Sequence, residues 1–133
     1  MPEIIEPELS YKITGLCFKI HSELGRFCRE RQYSDKFEEL LKLNNFNYKR
    51  EFELKQLTPE SPAGNKVDFL IENRIIIDFK SKIFITKEDY TQMQRYLQAA
   101  GIRLGLIINF HSFYLKPKRI INTKYSQSDL HHL

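Results

Sequence analysis

Apolar residues recur at helical steps along the N-terminal part of the chain and change to a period of two after it. From Ser10 to Leu24, the positions Ile13, Leu16, Cys17, Ile20 and Leu24 fall at three- and four-residue steps, and Gly25 closes the predicted helix. A second helix is predicted from about Arg29 to Asn44, with Tyr33, Phe37, Leu40 and Leu41 as its apolar stripe. Glu30 stands on that stripe one turn before Tyr33, an inward acid explained either by the helix dipole or by use in a site. Asn47 to Leu57 then reads as a strand, alternating Tyr48, Arg50, Phe52 and Leu54 against Lys49, Glu51, Glu53 and Lys55. The segment from Thr58 to Asn65, with Pro59, Pro62 and Gly64, is a loop.

Two runs then repeat one layout. In Lys66 to Ile71, the residues Val67, Phe69 and Ile71 share a face and leave Asp68 and Leu70 on the other; in Ile75 to Lys80, the residues Ile75, Ile77 and Phe79 oppose Ile76, Asp78 and Lys80. Only Glu72, Asn73 and Arg74 separate the runs, so an antiparallel hairpin is expected. Centred on Asn73, it sets Asp68 across from Asp78, with Lys80 following on the same side.

Thr86 is placed to cap a third helix from Lys87 to about Ala100, with Glu88 and Asp89 in its first turn and Gly101 at its end. Gln92 and Tyr96 share a face of this helix beside the stripe Tyr90, Met93, Leu97 and Ala100; they are either a polar helix edge or donors for a phosphate or carboxylate. Ile102 to Phe110 is a compact apolar run expected as a central strand, and Arg119 to Asn122 an edge strand. The order of elements predicts an α/β (α+β) fold: a mixed sheet of four to five strands flanked by helices, in one domain spanning residues 1–133.

Facing carboxylates repel and are costly to bury unpaired, so a cation is expected between Asp68 and Asp78. Mg²⁺ is bound through one or two carboxylates completed by waters and phosphate oxygens, and Lys80 is placed to orient a water or to stabilise charge developing on phosphorus. A salt bridge on the solvent face of an amphipathic hairpin accounts for the same residues by themselves.

The net charge of +4 and pI near 9.0 permit a polyanionic partner without demanding one. Lys116, Lys118, Arg119 and Lys124 are mildly concentrated, as a solvated basic tail also would be. With 41% hydrophobic and 29% charged residues, the chain is too apolar for disorder. It has no apolar run of transmembrane length, and its acidic start is unlike a signal peptide, so a cytoplasmic protein without membrane contact is expected. Cys17 and Cys28 lack metal-ligand spacing and are expected to be reduced; Cys17 with His21 belongs to a packed helix face. His131 and His132 receive no role.

An acid in the first helical region, Asp68 in a strand, Asp78-x-Lys80 in the next, then Gln92 and Tyr96 in a helix form an ordered set that resembles the PD-(D/E)xK nuclease superfamily. Within it, the chain is similar to the family named for its GxxExxY motif, whose Glu and Tyr fall at Glu30 and Tyr33; Phe27 replaces the motif glycine and Val67 the proline. The resemblance runs from about Ile13 to Asn122 and includes Leu104 to Phe110. It implies a restriction-endonuclease-like core of αβββαβ order, with Asp68, Asp78 and Glu30 binding Mg²⁺ or Mn²⁺, Lys80 assisting catalysis, and Gln92 and Tyr96 beside the substrate. The implied function is metal-dependent hydrolysis of nucleic acid, with DNA as the expected substrate. A module that keeps the fold for nucleic-acid binding or protein interaction, without catalysis, is the alternative. The oligomeric state is open, a homo-oligomer included.

Overall fold

The computed structural model describes residues 5–54 and 66–124. The expected loop from Thr58 to Asn65, the Lys55 to Leu57 end of the first expected strand, the first residues of the acidic start, and His131 and His132 lie outside the described residues.

The first helix, α1 (Pro7–Leu24), begins one turn before the apolar periodicity does. Pro7 accounts for the difference, because a proline at the first helical position has its φ preset and gives up an N–H that no helical bond would use. Gly25 ends the helix as expected, with φ 77° and its N–H bonded to the His21 carbonyl. Helix α2 (Glu30–Leu43) starts where the Gln32 side chain accepts the Arg29 N–H at 2.8 Å. Five strands follow in two groups: β1 (Tyr48–Glu53), β2 (Lys66–Ile71) and β3 (Ile75–Lys80), then β4 (Leu104–Asn109) and β5 (Lys118–Ile121). Helix α3 (Lys87–Ala100) connects the groups within its predicted bounds, capped by Thr86 and closed by left-handed Gly101.

The strands form one mixed sheet in the order β1-β2-β3-β4-β5. Neighbours are antiparallel except β3 and β4, which the α3 crossover makes parallel. The β2–β3 hairpin has the predicted register, Ile71 opposite Ile75 and Phe69 opposite Ile77. Its turn is made by left-handed Glu72 and Asn73, the backbone that suits tight hairpins.

Helices cover both faces of the sheet. On one, Ile13, Cys17 and Ile20 of α1 and Tyr33, Phe37 and Leu41 of α2 pack on Phe69, Ile77, Phe79, Leu106 and Ile108. On the other, Met93 and Leu97 of α3 pack on Leu70, Ile76 and Ile107. Strand β4 is buried along its whole length, as its continuous apolar run requires. Among the described residues, no helix is long and apolar enough to cross a membrane.

The alternation predicted for the first two strands breaks midway. Val67 belongs to the α3 side, although Phe69 and Ile71 face α1 and α2. Phe52 and Leu54 likewise face α3, although Tyr48 packs on the opposite side. The strands turn over together between the pairs Arg50–Phe69 and Phe52–Val67. Glu51, at that level, has φ 51°, a left-handed conformation that a side chain with a Cβ adopts only at a cost and that period-two spacing does not anticipate.

Candidate functional site

Asp68 sits opposite Glu51 at the level where β1 and β2 turn over. It lines a cavity of about 510 Å³ with Glu30, Ser34 and Asp35 of α2 and Arg50 and Glu51 of β1. The paired residues of β2 and β3 reach Phe69 and Ile77, and one step further Asp68 comes opposite Asp78. There the Phe79 N–H donates to the Asp68 carboxylate at 2.7 Å. The carboxyl groups of Asp68 and Asp78 lie within hydrogen-bonding reach of each other.

Lys80, at the end of β3, returns its ammonium to this pair, with Nζ 2.9 Å from Asp78 Oδ2. The same nitrogen donates to Gln92 Oε1 at 3.4 Å and lies 3.8 Å from Asp89 Oδ1. Asp78 is 7% exposed, so its ion pair with Lys80 is far less screened than one on the surface. Tyr96 is buried on α3, near enough to Asp78 to feel its charge. Glu30, at the exposed N-terminus of α2, stands at the rim, within electrostatic range of Asp78, Lys80 and Lys82. The structure therefore brings Asp68, Asp78, Lys80 and Gln92 together, with Tyr96 beside them and Glu30 at the edge.

The titrations follow from this placement. Burial pushes the Asp68 carboxyl up to about 8, reinforced by the hydrogen bond and charge of Asp78, while the Phe79 amide works in the other direction. Burial also raises Glu30, against the pull of Lys80. Burial alone would lower Lys80, but Asp78 outweighs it and the lysine is raised. Burial by itself would raise Asp89, yet hydrogen bonds from Lys82 and Thr86 hold it below the ordinary carboxylate range.

Among the described residues, no three His, Cys, Asp or Glu side chains are grouped closely enough to hold a metal ion by themselves. The Asp68–Asp78 pair nevertheless suits a hard divalent cation, because it supplies oxygens only and Mg²⁺ takes most of its remaining ligands from water and phosphate. Burial and the neighbouring Asp78 both favour a proton on Asp68 where no cation lies between the two groups.

The chain matches the PD-(D/E)XK nuclease superfamily over residues 7–121. It belongs to that superfamily. The five-stranded mixed sheet with helices on both faces is consistent with the restriction-endonuclease-like fold of PD-(D/E)XK proteins. PD-(D/E)XK nucleases generally use divalent metals, and membership points to nuclease activity on nucleic acid. No curated protein and no solved structure matches the chain significantly.

Three further residues are linked to Lys80 at this candidate site, and the sequence had concealed them to different degrees. Asp89 is shared between Lys80 and Lys82, its Oδ2 lying 2.5 Å from Lys82 Nζ. An acid in the first turn of a helix is already explained by capping, and Asp89 does bond back to the Thr86 N–H at 2.8 Å. Asn109 holds the chain beyond β3: its amide donates to the Lys82 carbonyl at 2.7 Å and accepts the Lys82 N–H at 3.1 Å. Asn109 was detectable, since it interrupts an apolar strand as Asp78 does. Lys82 was detectable too, because it continues the alternation of Asp78 and Lys80.

Proposed function

We propose that this protein is a Mg²⁺- or Mn²⁺-dependent nuclease that hydrolyses phosphodiester bonds of DNA, and that it falls in the GxxExxY branch of the superfamily. One observation carries the proposal: Asp68 and Asp78 come together from neighbouring strands, with the Phe79 amide 2.7 Å from Asp68 and the Lys80 ammonium 2.9 Å from Asp78. Support for the branch comes from Tyr33, whose hydroxyl donates to the Gly25 carbonyl at 2.6 Å and accepts the Cys28 N–H at 3.1 Å. It thereby fixes the turn that leads into Glu30.

Asp68 and Asp78 would hold the divalent ion, with Glu30 acting from the rim. When bound, the ion polarises a phosphoryl oxygen and makes water more acidic. Asp68 would hold the ion as the carboxylate, and the Phe79 amide keeps one of its oxygens in place. Lys80 is held protonated by Asp78, so it works as a fixed positive charge toward the oxygens of phosphorus rather than as a base. Gln92 restrains the lysine and, with Tyr96, offers polar groups to the substrate. Hydrolysis forms a bond from a water oxygen to phosphorus and breaks one phosphorus–oxygen ester bond. The products are a phosphomonoester end and a free hydroxyl end.

The test is incubation of labelled DNA with the protein and Mn²⁺, beside Asp78→Asn and Lys80→Ala. The proposal expects cleavage by the wild type, none detectable with Asp78→Asn, and a rate roughly 10²- to 10³-fold lower with Lys80→Ala at little cost in DNA affinity. Cleavage persisting in both variants would remove its basis. DNA retention that falls with salt, without cleavage, would leave a binding module instead.

A further inference from the structure

The loops around the end of β3 carry a group of exposed aromatic side chains that the hydrolytic chemistry leaves unused. Phe27 is 80% exposed, Phe113 67%, Tyr114 72% and Phe84 75%. Single exposed aromatics are ordinary, but exposed rings of two loops joined through one shared cation are not. Phe113 and Tyr114 meet edge to face with centroids 4.8 Å apart. The Arg26 guanidinium lies 5.0 Å from the Phe27 ring and 5.8 Å from the Phe113 ring, joining two loops into one surface. Phe27 also packs edge-on against His111 at 5.9 Å, and Arg26 Nε donates to the His111 carbonyl at 2.8 Å.

This surface is fastened to the strand that carries Lys80. The Phe110 N–H bonds to the Lys80 carbonyl at 3.0 Å, and the His111 N–H bonds to Asn109, which also grips Lys82. The Ser81 hydroxyl donates to the carbonyl of Cys28, directly after Phe27. Phe84 follows Lys82 by two residues, and Glu30 opens the helix just beyond Phe27. Phe27, Arg26 and Phe113 are therefore tied through main-chain bonds to the end of the strand that carries Asp78 and Lys80.

We propose that this surface stacks unpaired bases of a strand whose backbone enters the Asp68–Asp78 site, so that the substrate class is single-stranded nucleic acid or the single-stranded end of a duplex. The proposal rests on the nuclease reading. A base inside a duplex keeps its flat faces against its neighbours and shows a protein only its edges. Exposed rings become useful once bases are splayed out, when each offers a face for stacking. Arg26 suits such a strand, being able to lie flat on a ring while its other nitrogens meet phosphate.

The experiment uses the whole chain in EDTA, where metal-dependent cleavage is absent. A single-stranded DNA oligonucleotide carrying 2-aminopurine and a blunt duplex of the same sequence are titrated with wild type, Phe27→Ala, Phe113→Ala and Phe113→Trp. The expected results are quenching of 2-aminopurine by the wild type, single-strand affinity roughly tenfold lower for each alanine variant, recovery with Phe113→Trp, and a much smaller change on the duplex. These side chains are exposed, and melting curves check that the variants fold. Equal losses on both DNAs, or no loss on the single strand, would overturn the proposal even with Asp78-dependent cleavage intact. So would a change in sedimentation with single-strand affinity preserved, which would assign the surface to contacts between protein chains. If no DNA is cleaved in an Asp78-dependent manner, the nuclease reading fails separately, and the stacking measurements still decide the surface.

Discussion

Asp68 accepts a hydrogen bond at 2.7 Å from the main-chain N–H of Phe79, a partner on the adjacent strand that a sheet ladder would ordinarily give to a carbonyl. One carboxylate oxygen is thereby fixed by the backbone of β3, between the two other polar residues of the motif. The position of the acid is tied to the strand that carries Asp78 and Lys80, so movement of one strand carries the site with it.

Cation binding should stabilise the folded protein. At about 100 times its dissociation constant, Mg²⁺ or Mn²⁺ adds about 2.7 kcal/mol, a rise of several degrees in Tm. Asp78→Asn should abolish the rise and should lower the stability of the metal-free protein, because Lys80 loses its buried ion-pair partner. Thermal melts with and without metal measure both effects, and equal metal responses from the two proteins would exclude this pair as the ligand site.

Metal-free stability should fall as pH rises from about 4 to about 8. The folded carboxyl of Asp68 is raised to about 8, so across that window the native state binds the proton more tightly than the unfolded chain does. Its favourable contribution is complete below the ordinary aspartate pKa and is lost as pH climbs through the folded value. Glu30, also raised, acts in the same direction. Asp89 is lowered, so its contribution is present above the ordinary aspartate range and fades in acid, below that window. Urea denaturation at stepped pH should show the slope for the wild type and a flatter profile for Asp68→Asn.

Asn109→Ala should loosen the chain beyond Lys80 and leave both main-chain groups of Lys82 without their partner. A loss of about 1–3 kcal/mol is expected for two such part-buried hydrogen bonds. Hydrogen exchange at the Lys82 amide should accelerate more than exchange in the middle of β4. Unchanged protection at Lys82 would mean that the amide clamp does not hold this segment.

Tyr33→Phe should cost about 1–2 kcal/mol, since the ring still stacks on Phe110 at 4.1 Å but the Gly25 carbonyl and the Cys28 N–H lose their shared hydroxyl. If Glu30 serves catalysis, the variant should also lose cleavage rate beyond what its folded fraction explains. Denaturation and kinetics on the same preparation separate the two effects.

Much of the site was legible because Asp68, Asp78 and Lys80 interrupt apolar alternation, and a short polar turn fixed their register. The third helix was legible to the residue because Thr86 and Gly101 mark its ends chemically. The exchange of faces at Glu51 was not, because a left-handed glutamate leaves no trace in the pattern of apolar residues. Asp89 was obscured differently: its cap to Thr86 is a sufficient local explanation, and its reach to Lys80 and Lys82 depends on how α3 docks against β3.

The exchange of faces also governs how β1 and β2 can pair at all. In a strand with one buried face, a slip of one residue turns the apolar set toward solvent. Here the same two strands serve the α1–α2 layer at one end and the α3 layer at the other, so a slip spoils the fit in both layers at once. Asp68 stands at the pivot between the two halves, and the alignment of the acid is thereby proofread twice, once by each layer of the core.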